Sequence, residues 1–339
     1  NVFQKALDYD FSVHRSPGEI TRGLGLISSI NGNRLIPNTD GLTPYEMSAL
    51  ISQNGLLPLV IEIDEIRMKI KDLDSYIKKI VHAYSGLHLP IIFHITINAD
   101  GSGAGHAIAV CGCGKSNSGT GGKDWISDNI TTLYAHDDQF GPFTKIKFIN
   151  GYKIETEWDR YYLKDLKNIK GLRKSYINKH TDITSIIIPT FPDFKITYET
   201  IQDSRIFELF EHFVLTKENA YKIETWDIRA LFSEDYKSHL QPELKKSPSC
   251  GSRCRYTLFS LLTKSLPKYI WVISGYNSEK LLVELIIDAT GLDNDLQYAG
   301  LIAYYDEITD TMKYNYEQFL VNSPRLHEKD HTFYKEYLV

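Results

Sequence analysis

The chain has 339 residues and a formal net charge of −5, from 38 basic and 43 acidic side chains, a balance that argues against general nucleic-acid binding. Hydrophobic residues are 42% and charged residues 24% of the chain, enough apolar surface to offset the ordering entropy of a core, which excludes global disorder. No run approaches the ~20 uninterrupted apolar residues of a membrane-spanning helix, and four cysteines cannot make the dense disulfide framework of a small secreted protein.

The length predicts two domains or one large one, and the expected compartment is cytoplasmic. The chain begins at Asn1 without an initiator methionine, so we expect that something upstream has been removed. Ser16-Pro17-Gly18-Glu19 is a capping box, with Ile20, Leu24 and Ile27 on one helical face behind it. A second helix start stands at Thr43-Pro44-Tyr45-Glu46 and its stop at Asn54-Gly55. Asp72 to Tyr84 repeats the helical period through Leu73, Ile77, Ile80 and Val81.

Strand signals follow. Pro90 to Ile97 is β-branched, Asn98 to Gly105 is its turn, and His106 to Cys113 reads as the return strand. Ile130–His136 and Thr144–Ile149 are two more strands, after a Gly/Ser-rich loop at Ser116–Lys123. The charged, tyrosine-rich stretch over 151–180 marks a junction, giving predicted domains of 1–150 and 151–339. The second half carries strands at Ser185–Pro189, Tyr269–Ser274, Leu281–Ala289 and Tyr298–Tyr305. It also carries a helix from Tyr198 to Leu215 and a Pro-containing loop at Gln241–Arg253.

One constellation carries chemistry. His106 opens a buried strand just after a flexible glycine turn, and Asp137 closes a neighbouring one in Tyr134-Ala135-His136-Asp137-Asp138-Gln139-Phe140-Gly141-Pro142. A general base needs such a pair: the carboxylate accepts from one ring nitrogen, fixes the tautomer and stabilises the imidazolium. The blander alternative is a rim histidine with an Asx turn at Asp137.

In these motifs the chain resembles the papain-like cysteine peptidase superfamily, particularly its peptidase-C39-like branch. "GHAIAVCG" is similar to that family's His strand, "LYAHDDQFGP" to its Asp strand, and "DGLTPYEMSALISQNGLLP" to the helix between nucleophile and His. The resemblance implies an α+β fold with a papain-like N-terminal module, helices plus an antiparallel sheet, followed by a mixed α/β C-terminal domain. It implies His106 as general base, Asp137 as its orienting carboxylate with Asp138 the nearest substitute, and Gln139 as a polar donor. It implies no cofactor and no metal, and a peptide or protein as substrate, with neither nucleic acid nor membrane as partner.

The family's cysteine is missing: no Cys precedes His106, and the four are Cys111, Cys113, Cys250 and Cys254. Strand alternation points Cys111 and Cys113 away from the His106 face. The nucleophile is then upstream, lost, or replaced at Ser16, whose helix-capping role is complete without chemistry. The expected function is a cysteine-peptidase-like hydrolase or acyl transferase. The alternative is a catalytically inactive module that binds a peptide.

Four other signals stand outside this constellation. Ala109 to Ser116 fits a loosened phosphate-loop pattern, but the following Gly/Ser run cannot make the helix that holds phosphates. The Cys111/Cys113 and Cys250/Cys254 pairs offer four sulfurs to a structural zinc. Lys164–Lys174 and the His327/His331 pair read as solvated helix faces.

Overall fold

The structure is a computed structural model that describes residues 42–98, 103–115, 125–159, 180–214, 221–246, 252–278, 280–291 and 297–322. It divides into two compact units, Asn1–Ser116 with Ile130–Pro192, and Asn117–Asn129 with Asp193–Val339.

In the first unit, helix α1 (Pro44–Gln53) starts at the expected capping box. Glu46 N–H donates to the Thr43 hydroxyl, Thr43 N–H donates to the Glu46 carboxylate at 2.8 Å, and Gly55 lies just beyond the helix at φ +81°. Strand β1 (Leu57–Glu62) runs into the short helix α2 (Ile63–Arg67), and α3 (Leu73–Tyr84) is capped by Asp72. The period read from Leu73, Ile77, Ile80 and Val81 is the face that α3 buries.

The strands of this unit are β2 (Ile91–Ile97), β3 (Ala104–Lys115), β4 (Ile130–Asp137), β5 (Gly141–Asn150), β6 (Lys153–Glu155) and β7 (Thr181–Thr190). They pair antiparallel in the order β2-β3-β4-β5-β6-β7, and β7 returns to β2, which closes a six-stranded barrel. One edge of β7 pairs with β2. The other edge is shared, by β6 at Thr181 and Asp182 and by β1 from Ser185 to Thr190. The continuous Ile186-Ile187-Ile188 run fits this place, because β7 is buried without alternation from Ser185 onward. The register shift at Cys111 in β3 is a β-bulge, a device that bends strands as a sheet closes, and the β4–β5 register shifts again at His136.

This closure corrects the expected fold. The papain-like arrangement of helices on an antiparallel sheet is not formed, because the ring is completed by a strand at 181–190 that sequence reading placed in the second domain. Pairing between residues about 90 positions apart leaves no local signature, so periodicity identified the strand but not its neighbours.

The second unit has a four-stranded sheet in the order β11-β10-β9-β8, from β8 (Thr225–Phe232), β9 (Tyr269–Asn277), β10 (Lys280–Asp288) and β11 (Tyr298–Ala303), antiparallel throughout. Helices α4 (Tyr198–Asp203) and α5 (Arg205–Val214) replace the single predicted helix, broken where Ser204 is extended. Helices α6 (Ser233–Lys246) and α7 (Ser252–Thr263) occupy most of the predicted Pro-containing loop, with Pro242 inside α6, and α8 (Asp306–Asn322) follows the sheet. Tyr236 and Leu240 of α6 and Leu258 and Leu261 of α7 form one apolar cluster with Ile270, Val272, Ile286 and Ile302 of the sheet. Gly300 permits this approach, since a Cβ there would stand 2.7 Å from Leu261.

Trp271 is a core residue: it is fully buried and its indole N–H donates to Ile196 O at 2.8 Å. No helix among the described residues is long and apolar enough to cross a membrane.

Candidate functional site

The geometry of the site follows from the β3–β4 pairing. Ala109 stands opposite His136 in an antiparallel register, so the start of β3 and the end of β4 meet at one end of the barrel. His106 is cross-strand from Ile95, on the face that Phe93 and Ile108 bury. Its Nε2 lies 3.3 Å from Asp137 Oδ1 and 3.4 Å from Asp138 Oδ1. The Asp137 side chain is 5% exposed and that of Asp138 is 73% exposed, so the first carboxylate is fixed by the fold and the second stands in solvent.

Asp137 is held from three directions. Its Oδ1 accepts the backbone N–H of Gln139 at 2.9 Å and of Phe140 at 3.4 Å, and its Oδ2 accepts the Trp158 indole N–H at 3.0 Å. The Asx turn set against the catalytic reading is therefore present, and it is what aims the carboxylate at His106. Gln139 contributes its backbone N–H, while its side chain is exposed.

Trp158 is the site residue that sequence reading missed. Its ring lies edge-on to His106 at 5.3 Å and to Phe140 at 4.8 Å, which shields the imidazole–carboxylate pair from water. The turn that carries it is anchored by Asp159, which accepts from the Thr156 backbone and hydroxyl at 2.7 and 2.9 Å and from the Thr181 hydroxyl of β7 at 3.1 Å. Burial pushes the Asp159 carboxyl above its usual range, and those three donors pull the other way. A legible signal existed, since Thr156-x-x-Asp159 is a helix-start pattern that places Trp158 in the first turn.

His94 is a second overlooked residue. Its ring stacks over Gly105, whose missing Cβ would stand 3.5 Å from His94 Nε2. The Thr184 hydroxyl donates its one proton to His94 O at 3.0 Å, so at 2.7 Å it accepts from His94 Nδ1, which fixes the tautomer. Burial first, and the neighbouring His106 second, lower the His94 pKa below its usual 6.5.

The cysteines lie elsewhere. Cys111 is exposed at the β3 bulge, its S–H donates to Tyr134 O at 3.3 Å, and it lines a cavity of about 310 Å³ with His88 and His136. Partial burial of its sulfur raises the thiol pKa, the opposite of what activates a nucleophile. Cys113 departs from the strand alternation expected of it. The bulge shifts the register so that Cys113 opposes Leu133, which returns it to the barrel-facing side. It still stands seven positions along the strand from His106, roughly 20 Å at about 3.3 Å per residue.

Cys254 is disulfide-bonded, which removes the four-sulfur zinc reading. Strand β3 continues through Gly112, Cys113, Gly114 and Lys115, so these residues form a pleated strand and no phosphate-cradling loop. Ser16, Cys250, Lys164–Lys174, His327 and His331 lie outside the described residues. Comparison with protein-family models, with curated proteins and with solved structures finds no match to this chain.

Proposed function

We propose that the end of the barrel is the general-base half of a hydrolase or acyl-transferase site acting on a peptide or amide bond. The observation that carries this reading is a half-buried imidazole 3.3 Å from a buried carboxylate that backbone N–H groups and Trp158 hold in one orientation. In this role Asp137 orients His106 by accepting from Nε2–H, leaving Nδ1 to take a proton from a nucleophile. The 3.3 Å separation fits a dyad at rest, since catalytic hydrogen bonds tighten when substrate binds. The nucleophile this role needs would come from upstream of this sequence or from Ser16, which lies outside the described residues.

The test is turnover of a peptide and amide substrate panel by the wild type and His106→Ala. Loss of a general base lowers the rate by on the order of 10²–10⁴-fold, with the melting temperature nearly unchanged. Equal rates, or a large loss of stability with rates intact, would overturn the proposal. A second reading, an inactive module that binds a peptide, fits a His106/Asp137 pair that no cysteine among the described residues joins. Saturable peptide binding that His106→Ala weakens, with no product formed by either protein, selects that reading.

A further inference from the structure

His106 Nε2 is buried, and although two carboxylate oxygens stand within 3.4 Å, neither completes a hydrogen bond with it. A protonated imidazole paired with a carboxylate would place one oxygen along its N–H axis. Here neither oxygen meets Nε2 in a hydrogen bond, and the three atoms lie within 4.8 Å of one another. Ligand atoms about 2.0–2.2 Å from a tetrahedral ion stand about 3.4 Å apart and each lies well off its neighbour's lone-pair direction. The 3.3 and 3.4 Å separations match that spacing.

We propose that His106, Asp137 and Asp138 bind one divalent transition-metal ion of the zinc class. The imidazole selects a borderline ion over magnesium or calcium, which prefer oxygen alone. Two carboxylates neutralise the charge of the dication, and three protein ligands leave the fourth position to solvent. The second shell is already in place: the N–H groups of Gln139 and Phe140 and the Trp158 indole orient Asp137. Asp138 is the ligand that distinguishes this role, because a base–acid dyad has no use for a second, exposed carboxylate. An ion on Nε2 leaves the remaining ring proton on Nδ1, so metal binding silences the base reversibly. That consequence rests on the function proposed above, while the binding does not.

The experiment titrates the metal-free protein with Co²⁺ at pH 7 and follows visible absorption and Trp fluorescence, then displaces Co²⁺ with Zn²⁺. The expected result is one saturable site with a tetrahedral spectrum, quenching from the ion beside Trp158, and affinity weakened by on the order of 100-fold in Asp138→Asn. His106→Ala abolishes the site. Asp138 is solvent-exposed, so its variant folds even where a His106 variant does not. Absence of a saturable site overturns the proposal, as does affinity unchanged in Asp138→Asn. A thiolate-to-cobalt charge-transfer band, which places the ion on Cys111 or Cys113, overturns it as well. Because this titration needs no substrate, its failure leaves the hydrolase proposal standing, and an inactive protein leaves the metal result standing. In an active protein, turnover falls with the Zn²⁺ midpoint of binding and returns with EDTA.

Discussion

Two buried carboxylates, one in each unit, face opposite fates. Glu284 of β10 is 1% exposed and accepts the Tyr236 and Tyr304 hydroxyls, each at 2.8 Å, and the Ser274 hydroxyl at 3.2 Å. Every donor around it is a neutral hydroxyl already spent on the carboxylate. Asp137 is almost as buried, but its donors are a backbone turn and an indole, and the group it faces is an imidazole whose Nε2 has no completed hydrogen bond. Burial alone therefore does not mark a chemical site. A carboxylate whose hydrogen bonds close among hydroxyls stiffens a core, whereas one aimed at a titratable group with unspent capacity can move protons or hold a cation.

The hydroxyl network also shows its cost. Burial, followed by the charge of Glu284, drives the Tyr236 and Tyr304 hydroxyls well above their usual pKa, and burial lifts Tyr276 beside them to about 12. These tyrosines stay neutral donors across the physiological range. They are structural in the same sense that Trp271 is.

The comparison breaks most sharply at Asp137→Asn. Replacing the carboxylate by an amide keeps the size of the group but removes the charge that orients and stabilises His106, so turnover falls by on the order of 10²-fold or more. Asp138→Asn lowers it far less in metal-free buffer; the reverse order would transfer the orienting role to Asp138. Next in size is Glu284→Ala, which strands three buried hydroxyls and destabilises the second unit by about 3 kcal/mol. It is read as a lower urea midpoint with turnover unchanged. A loss of turnover at constant stability would contradict the division between a structural and a chemical carboxylate.

The smallest effect lies in the pH dependence of stability. The His94 pKa is lowered in the folded protein, so between that value and 6.5 the unfolded chain binds a proton that the folded protein refuses. Stability from this group therefore falls as pH drops through 6.5 and stops falling below the folded pKa. His94→Gln flattens that part of the acid limb in thermal melts taken from pH 7.5 down to 4.5. A limb of unchanged slope would assign the sensitivity to other groups.

By itself the sequence determined the local elements whose causes are local. The Thr43 capping box, the Asn54-Gly55 stop, the buried face of α3 and the strands at 91–97 and 130–137 are written in side-chain spacing and cap chemistry within a few residues. It also brought His106 and Asp137 forward together, because a glycine turn before one strand and an Asx turn after another are local signals. What only the tertiary structure decided depends on residues far apart in the chain. The closure of the barrel by β7, the bulge that turns Cys113 to the other face and the helical residues 241–246 and 252–253, where a loop was expected, are of this kind. So is the placement of Trp158 over the dyad, where residues 52 positions apart meet because both ends of the barrel ring are fixed. Register and closure are set by burial summed over the whole sheet, and no short window of sequence contains that sum.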